Sequence, residues 1–393
     1  MRYLTTDYPV FSLAPGPAEA YPRVLLALAA PVPYDYDPVY RATYQRVAEK
    51  LHQIVKSETV PVILQGEPVL AIEAAAASLI GPQDVVLNLV SGVYGKGFAP
   101  WAGRSGARVL ELAVPYDQVI DADAVAAFLE LHPEVTVVAG VHHETRAGTI
   151  NPVEEIGAVV ARHGALFLID AVSSFAGMSI DAASSHCDMF ICGPHKCLGC
   201  PPALSIIGVS ERAWAKMRAN PTAPRGSALS VLDWENAWRP EKPFPFTSSV
   251  AEIHALEAAI ELYRAEGPER VWARHRVTAR AFQAGVVAMG LRLWPGEARF
   301  ASTTTTAVRV PEGVDKKLLL AEMRARYGVI FVTGFTETWG EIVRVAHMGP
   351  NAHPIYSVMA LSALGGAIGK LGVVVDLPAG ISAAMAVIDA DGT

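Results

Sequence analysis

A lysine and an aspartate that each follow a short apolar run are the residues with the clearest chemical potential. Asp170 ends the apolar run at residues 165–169, and Lys196 closely follows the apolar run at residues 189–193. Runs of this kind, bounded by turn residues, predict short buried strands. In a parallel sheet both strands would deliver their polar residue to the carboxyl edge, where ligands bind.

This pair of residues predicts a particular kind of chemistry. A lysine amine can form a Schiff base with an aldehyde, and a carboxylate can pair with the protonated nitrogen of a pyridine ring. Lys196 facing Asp170 is therefore the minimal set of groups for pyridoxal chemistry. The alternative for Lys196, a solvated loop lysine, is disfavoured by the flanking sequence GPHKCLG at residues 193–199.

Composition and charge limit the possible functions. The chain has 393 residues, of which 51% are hydrophobic, and a formal net charge of −7. This length favours two or three domains, and the lack of a basic block argues against nucleic acid as a partner. The N-terminal region does not resemble a secretory signal, and no apolar stretch approaches the ~20 residues that span a bilayer. We predict a cytoplasmic enzyme that binds no membrane.

Four cysteines lie close together in the sequence, and two interpretations of them are possible. Paired cysteines with this kind of spacing occur in zinc and iron–sulfur sites. They are also common as reduced, buried small hydrophobic residues. The second interpretation is favoured, because the first spacings match no metal-site pattern, and we predict no metal. The residues are Cys187, Cys192, Cys197 and Cys200.

Short apolar runs alternate with helical patterns from about residue 60 onward. The alternation predicts an α/β fold with a doubly wound, mostly parallel sheet. We predict a large domain at residues 1–265, including an N-terminal arm, and a smaller C-terminal α+β domain at residues 266–393. Strands are predicted at residues 60–64, 85–90, 108–112, 135–140, 166–169, 189–192, 307–310, 329–332 and 342–346. Helices are predicted at residues 70–80, 122–131, 153–163, 249–284 with a break at Gly267-Pro268, 316–327 and 355–371.

Further candidate residues follow other predicted strands at the same sheet edge. Tyr94 is predicted to lie in a glycine-rich loop at residues 91–97, SGVYGKG, whose spacing is too short for a P-loop. Glycines there would let the tyrosine ring lie flat against an aromatic ligand. Thr145 could hydrogen-bond an oxygen on that ligand. His142 and His143 are adjacent and would point to different sides of a strand, so metal ligation is a weaker interpretation than packing or support of the site.

Together these motifs resemble those of the class V, fold-type I aminotransferases, and the resemblance spans nearly the whole chain. Their order and spacing, more than any one motif, carry the likeness. It implies a large, doubly wound sheet domain and a smaller α+β C-terminal domain, assembled as a homodimer or homotetramer. The motifs are PGP at residues 15–17, residues 66–73, SGVYG at 91–95, HET at 143–145 with Gly148, DAVSS at 170–174, GPHKCLG at 193–199, and Arg344 before Gly349.

The resemblance implies a role for each matching residue. Lys196 would form the Schiff base and then move a proton between the substrate carbon and the C4′ carbon. Asp170 would keep the pyridine nitrogen protonated. Tyr94 would stack on the ring and Thr145 would contact it. Arg344 would bind the substrate carboxylate with a bidentate fork, whereas an interdomain salt bridge is the alternative for this arginine.

Some stretches resemble more closely the family members that act on pyridoxamine in vitamin B6 degradation. The implied reaction is pyridoxamine plus pyruvate, or another 2-oxo acid, giving pyridoxal plus L-alanine or the matching amino acid. In the resembling enzymes the segment with Phe246 and Thr247 approaches the neighbouring subunit's site, so Thr247 is predicted to contact the vitamer. The stretches are residues 66–70, 87–98, 214–217, 231–238 and 243–247.

Glu67 departs from ordinary family members, in which small residues and free N–H groups at a helix N-terminus bind the cofactor phosphate. Here a carboxylate and Pro68, which has no N–H, take that place. An ionised Glu67 would repel a phosphate dianion but would accept a hydrogen bond from a hydroxymethyl group. We therefore predict unphosphorylated pyridoxal on Lys196. If Glu67 only caps the helix, pyridoxal 5′-phosphate is the alternative.

Phe335 is a second position at which this sequence differs from the resembling enzymes. The resembling enzymes have a second arginine in the loop that here reads GFTET, and Phe335 takes its position. Losing one of two carboxylate-binding cations would weaken pyruvate binding, or favour a bulkier or less polar acceptor. Phe335 is therefore predicted to line the acceptor pocket, and the resemblance supports the transamination more strongly than the identity of the acceptor.

Three rival functions stay open. A pyridoxal-phosphate-dependent aminotransferase of the alanine/serine–glyoxylate type would hold a phosphate tightly. A non-catalytic pyridoxal-binding protein would keep Lys196 but would turn over no oxo acid. A cysteine-ligated metalloprotein is the weakest of the three.

Overall fold

Helices and strands alternate along most of the chain. The computed structural model describes residues 10–391. The helices are α1 (Pro22–Leu28), α2 (Pro38–Val55), α3 (Pro68–Leu79), α4 (Val93–Arg104), α5 (Ala122–Leu131), α6 (Val153–His163), α7 (Glu211–Ala219), α8 (Val250–Glu266), α9 (Pro268–Ala288), α10 (Lys316–Tyr327), α11 (Pro354–Lys370) and α12 (Leu377–Ala390). The strands are β1 (Phe11–Ser12), β2 (Val62–Gln65), β3 (Val85–Val90), β4 (Arg108–Ala113), β5 (Val137–Val141), β6 (His143–Glu144), β7 (Thr149–Ile150), β8 (Leu166–Asp170), β9 (Met189–Cys192), β10 (Leu204–Val209), β11 (Thr305–Arg309), β12 (Val329–Ile330), β13 (Val332–Thr333) and β14 (Ile342–Ala346).

A seven-stranded sheet organises the larger part of the chain. Its order is β2-β10-β9-β8-β5-β3-β4. Strands β4, β3, β5, β8 and β9 pair in parallel, whereas β10 is antiparallel to both β9 and β2. The predicted α/β fold with a mostly parallel sheet is confirmed. Strand β10 was not predicted; its apolar sequence LSIIGV matches a strand buried on both faces, but such a run does not reveal its direction.

Several predicted helices match the structure to the residue because their ends carry strong signals. The Asp121 side chain accepts a hydrogen bond from the Asp123 N–H at the start of α5. The Asp315 side chain does the same for two N–H groups of α10. Gly164 and Gly328, in the left-handed conformation, end α6 and α10. Side-chain caps satisfy otherwise unpaired N–H groups, and glycine adopts a positive φ without steric cost.

A second, smaller sheet has its own hydrophobic core. Its order is β11-β14-β13, and α9 packs against both α11 and α12. The core includes Phe282, Leu319, Val343 and Leu364, and it also takes in Leu13 from the N-terminal arm. Helix α8 ends at Glu266, close to the predicted domain boundary, which stays a prediction. None of the helices within residues 10–391 has the length and apolar character needed to cross a membrane.

Candidate active site

The carboxyl ends of β8 and β9 bring Asp170 and Lys196 to one cavity. The two strands pair in parallel, with Asp170 opposite Ile191, and Lys196 lies in the turn that follows β9. The cavity has a volume of about 270 Å³. Of the predicted site residues, Glu67 and Tyr94 line it together with Asp170 and Lys196. The sheet therefore joins four candidates that are far apart in the sequence.

Lys196 is buried among hydroxyl groups. Its Nζ donates a hydrogen bond to Ser173 Oγ at 2.6 Å and lies 3.5 Å from Thr145 Oγ1. The hydroxyls of Ser173 and Thr145 are also hydrogen-bonded to each other. Burial lowers the pKa of Lys196, although the negative charge of Asp170 opposes this effect. A buried lysine with a lowered pKa has more of the neutral amine that can attack a carbonyl.

The N-terminal arm passes directly over this lysine. Gly16 has a φ of +127°, and a Cβ atom at this position would lie 3.1 Å from Lys196 Cε. The Ala18 N–H also donates to the carbonyl of His195 at 3.0 Å. Only glycine combines this backbone conformation with so close an approach, which explains the glycine in the PGP motif.

Asp170 is a buried carboxylate that faces the cavity. Its Oδ1 accepts a hydrogen bond from the Val172 N–H at 2.8 Å, and no other protein donor to this carboxylate is found within residues 10–391. Burial raises the pKa of Asp170, whereas the Val172 N–H and Lys196 lower it. A cationic N–H donor in the cavity would offset the cost of burying the charge. Asp170 and Lys196 therefore fit a protonated pyridine ring that carries an aldehyde or an amine.

Tyr94 lies in the first turn of α4, so the expectation that residues 91–97 form a loop was wrong. The buried carboxylate of Glu144 accepts hydrogen bonds from the Tyr94 and Gly95 N–H groups at 3.1–3.2 Å. A Cβ atom at Gly92 would lie 2.0 Å from Glu144 Cγ, so glycine makes room for this contact. Burial raises the pKa of Glu144 to about 7. Glu144 thus positions Tyr94, a role that sequence reasoning missed although the HET motif contains the residue.

Glu67 immediately precedes α3, as predicted, but its side chain does not cap the helix. It occupies the N-cap position without a side-chain hydrogen bond to the first turn, and it is exposed at the cavity wall. Pro68 is the first residue of α3 and contributes no N–H. This wall therefore presents a carboxylate where helix N-termini usually present donors to anions.

Arg344 is buried beside the cavity rather than in its lining. Its Nε and Nη2 donate to the carbonyl of Thr333 at 3.1 and 3.0 Å, and its Nη1 donates to the carbonyl of Thr145 at 3.1 Å. One N–H on Nη1 and one on Nη2 therefore remain for a ligand. Within residues 10–391 Arg344 makes no ion pair, which argues against the interdomain salt bridge. Burial lowers the pKa of Arg344 to about 10, and Arg146 adds to this effect.

Two further predicted residues do not line the cavity. Thr247 is exposed, and its carbonyl accepts a hydrogen bond from Gln65 at 2.6 Å. Phe335 is exposed, and the guanidinium carbon of Arg146 lies 4.6 Å from the centroid of its ring. The roles of Thr247 and Phe335 therefore stay predictions. Ser173 and Arg146 were not predicted, although Ser173 belongs to the DAVSS motif.

The adjacent histidines are buried and hydrogen-bonded within the fold. His142 Nδ1 lies 2.7 Å from Ser174 Oγ, and His143 Nδ1 lies 2.9 Å from Thr304 Oγ1. Burial lowers the pKa of His142 to about 4 and that of His143 to about 3, so both are neutral at pH 7. All four cysteines are free thiols. In the part of the chain that the structure describes, no group of histidine, cysteine, aspartate and glutamate side chains is arranged to hold a metal ion.

Comparisons with known proteins agree with this geometry. The family model described as aminotransferase class-V matches residues 41–348. A pyridoxamine–pyruvate transaminase from Mesorhizobium japonicum is 56% identical, with 100% of each chain covered. The crystal structure of pyridoxamine-pyruvate aminotransferase from Mesorhizobium loti superposes with a TM-score of 0.97, covering 98% of this chain and 99% of that chain. An alanine–glyoxylate aminotransferase from Nostoc, 28% identical, superposes with a TM-score of 0.88 over 93% of this chain and 97% of that chain.

Proposed function

The chain belongs to the class V aminotransferases, and we propose that it transfers the amino group of pyridoxamine to a 2-oxo acid. Pyruvate is the favoured acceptor, and the products are pyridoxal and L-alanine. The full-length identity of 56% to a pyridoxamine–pyruvate transaminase supports this assignment. Within the site, the observation that carries it is the carboxylate of Glu67 in the cavity that also holds Lys196 and Asp170. A role in vitamin B6 degradation and a cytoplasmic location belong to the same proposal.

Four residues divide the work of this reaction. When bound, the pyridine ring of the vitamer accepts the electron pair that remains when a substrate carbon loses its proton. Asp170 holds the proton on the ring nitrogen. The Nζ of Lys196, which donates a hydrogen bond to Ser173 Oγ, moves a proton between the C4′ carbon and the substrate carbon. The free N–H groups of Arg344 orient the substrate carboxylate, because a guanidinium matches a carboxylate bidentately.

Electrostatics favour a vitamer without a phosphate. An ionised Glu67 repels a phosphate dianion, and the partly enclosed cavity screens this repulsion less than bulk water does. Glu67 and Asp170 line the same cavity. Burial is the main cause of the raised pKa of Asp170, and the charge of Glu67 is the smallest of the contributions to it. A hydroxymethyl group would instead donate a charge-assisted hydrogen bond to the carboxylate.

We expect Glu67→Gln to weaken pyridoxamine binding by about one decade, since a charge-assisted hydrogen bond contributes roughly 1.5–3 kcal/mol. The affinity for pyridoxamine 5′-phosphate should not fall, because the substitution removes the repulsion of the phosphate dianion, so the affinity ratio between the two vitamers narrows. Dissociation constants of both vitamers for the wild type and the variant measure this ratio. Pro68 still lacks an N–H, so full conversion to a phosphate site is not expected.

Glu73→Gln is the matched control for the Glu67 substitution. Glu73 lies on the same helix and pairs with Arg104 at 3.0 Å, and it does not line the cavity. Its substitution should leave the ratio of the two vitamers unchanged. If the wild type binds the phosphate more tightly, or if Glu67→Gln leaves the ratio unchanged, the conventional pyridoxal-phosphate enzyme becomes the better assignment.

Mass spectrometry of the purified protein separates the proposal from its rivals. A pyridoxal-phosphate enzyme of the alanine–glyoxylate type would carry a tightly bound phosphate ester. A pyridoxal-binding protein without activity would carry the vitamer on Lys196 but would form no amino acid from any 2-oxo acid. The proposed enzyme forms alanine from pyruvate with pyridoxamine as the amino donor.

The proposed assembly is a homodimer in which each subunit completes the other's site. The support is an exposed apolar surface formed by large side chains around the start of α2 and before α8, which a second copy would cover. We expect a dimer or larger assembly by analytical ultracentrifugation at assay concentration, and a fully active monomer would refute it. The exposed side chains are Val32, Tyr34, Tyr36, Val39 and Phe246.

A further inference from the structure

Arg146 lies against two aromatic rings beside the candidate site. Its guanidinium carbon is 4.6 Å from the centroid of Phe335 and 5.5 Å from the centroid of Tyr94. The Nζ of Lys196 is 5.8 Å from the same Tyr94 centroid. Tyr94 itself lines the cavity. Arg146 and Lys196 therefore lie beside the same Tyr94 ring, although the two residues are far apart in the sequence.

The guanidinium of Arg146 has unused hydrogen-bond donors. Stacking on a ring engages the face of the guanidinium and leaves its in-plane N–H groups free. Within residues 10–391 the Arg146 side chain donates no hydrogen bond and makes no ion pair. The residue is half-buried, so these donors are not sealed inside the fold.

Arg146 also concentrates positive charge at the site. Burial lowers the pKa of Arg344, and the next contribution in size is repulsion by Arg146. Arg146 lowers the pKa of Lys196 in the same way, although it is the smallest of several contributions. The Glu144 carboxylate, which already accepts hydrogen bonds from two N–H groups at the start of α4, partly offsets the lowering of the pKa of Arg344, but within residues 10–391 it makes no ion pair with either arginine. Two arginines that repel each other would bind an anion that offsets the repulsion.

We propose that Arg146 binds the carboxylate of the 2-oxo acid together with Arg344. This inference rests on the proposed function and identifies a specificity-determining residue for the acceptor. The resemblance to family members that act on pyridoxamine implies a second arginine at the position of Phe335 in those enzymes. Here the ring of Phe335 instead supports Arg146, so that the second positive charge comes from the β6–β7 turn. The change at Phe335 therefore leaves the preference for a short 2-oxo acid such as pyruvate intact.

The test is the Arg146→Gln variant, which removes the charge and keeps a polar side chain. We expect the KM for pyruvate to rise about 10-fold to 100-fold, the range for one charge-assisted hydrogen bond. The kcat and the KM for pyridoxamine should change little. Binding of oxamate, a carboxylate that cannot be transaminated, to protein loaded with pyridoxamine should weaken by the same factor. Calorimetry measures this binding without turnover.

A second substitution and a control make the test specific. Phe335→Arg in the Arg146→Gln background should restore pyruvate KM and oxamate binding, because it returns the charge from the position used by the resembling enzymes. Arg104→Gln, at the exposed end of α4, should change neither quantity. An unchanged pyruvate KM and oxamate affinity in Arg146→Gln would overturn the inference, and so would an equal rise in the KM for pyridoxamine. Failure of the proposed function is a different result, in which the wild type binds oxamate but forms no pyridoxal.

Discussion

The Lys196→Ala protein is expected to lose transamination by a factor of about 10⁴ or more, because it loses both the nucleophile and the proton carrier. The Nζ of Lys196 is the only amine among the cavity-lining residues that the structure describes. Added pyridoxal should also fail to develop the visible absorbance that follows bonding to a lysine amine. Initial rates with pyridoxamine and pyruvate, and absorption spectra with pyridoxal, measure the two losses.

Lys370→Ala is the control for the Lys196 substitution. Lys370 is an exposed residue in the last turn of α11, so its replacement should leave both the rate and the spectrum unchanged. Circular dichroism should show that both variants keep the fold, since removal of a buried amine also removes its desolvation cost. If Lys196→Ala kept both turnover and absorbance, the proposed role of this lysine would be wrong.

The second large effect is expected for Asp170→Asn. This variant should keep most of its affinity for pyridoxal but lose about 10²-fold or more of the rate, because a neutral amide cannot hold a proton on the ring nitrogen. The amide oxygen can still accept the Val172 N–H that bonds Oδ1 in the wild type, so the backbone around the site should stay in place. Steady-state rates and a pyridoxal titration separate the two quantities.

Asp181→Asn serves as the matched control, because Asp181 lies in the connection from β8, which ends at Asp170, to β9. Its carboxylate pairs with the exposed Lys56 at 2.8 Å and is absent from the cavity lining. This variant should turn over like the wild type. An Asp170→Asn protein with the wild-type rate would show that the ring nitrogen does not depend on Asp170.

The sequence predicts the fold well wherever short-range signals determine an element. Strand β3 and helices α5, α6 and α10 match their predicted bounds, because apolar runs and capping residues act over a few positions. Direction and pairing depend on distant parts of the chain. Strand β10 shows this, since its apolar run gives no sign that it enters the sheet antiparallel to β9.

The candidate site shows the same difference between short-range signals and contacts with distant parts of the chain. Asp170 and Lys196 could be brought together from the sequence because their strands are neighbours along the chain and in the sheet. The hydrogen bond from Lys196 Nζ to the Ser173 hydroxyl depends on the path of the turn that follows β8. The contact of Arg146 with Phe335 joins two separate parts of the fold, and no spacing rule in the sequence predicts it.

We propose that the site transfers the amino group of unphosphorylated pyridoxamine. The most direct test measures kcat/KM for pyridoxamine and for pyridoxamine 5′-phosphate in parallel, with wild-type protein and pyruvate, while alanine is quantified by amino-acid analysis. We predict a kcat/KM at least about 10-fold higher for pyridoxamine, the value of one charge-assisted hydrogen bond to Glu67, with alanine and pyridoxal formed in equal amounts. A higher kcat/KM for the phosphate, or no alanine from either donor, would contradict the claim.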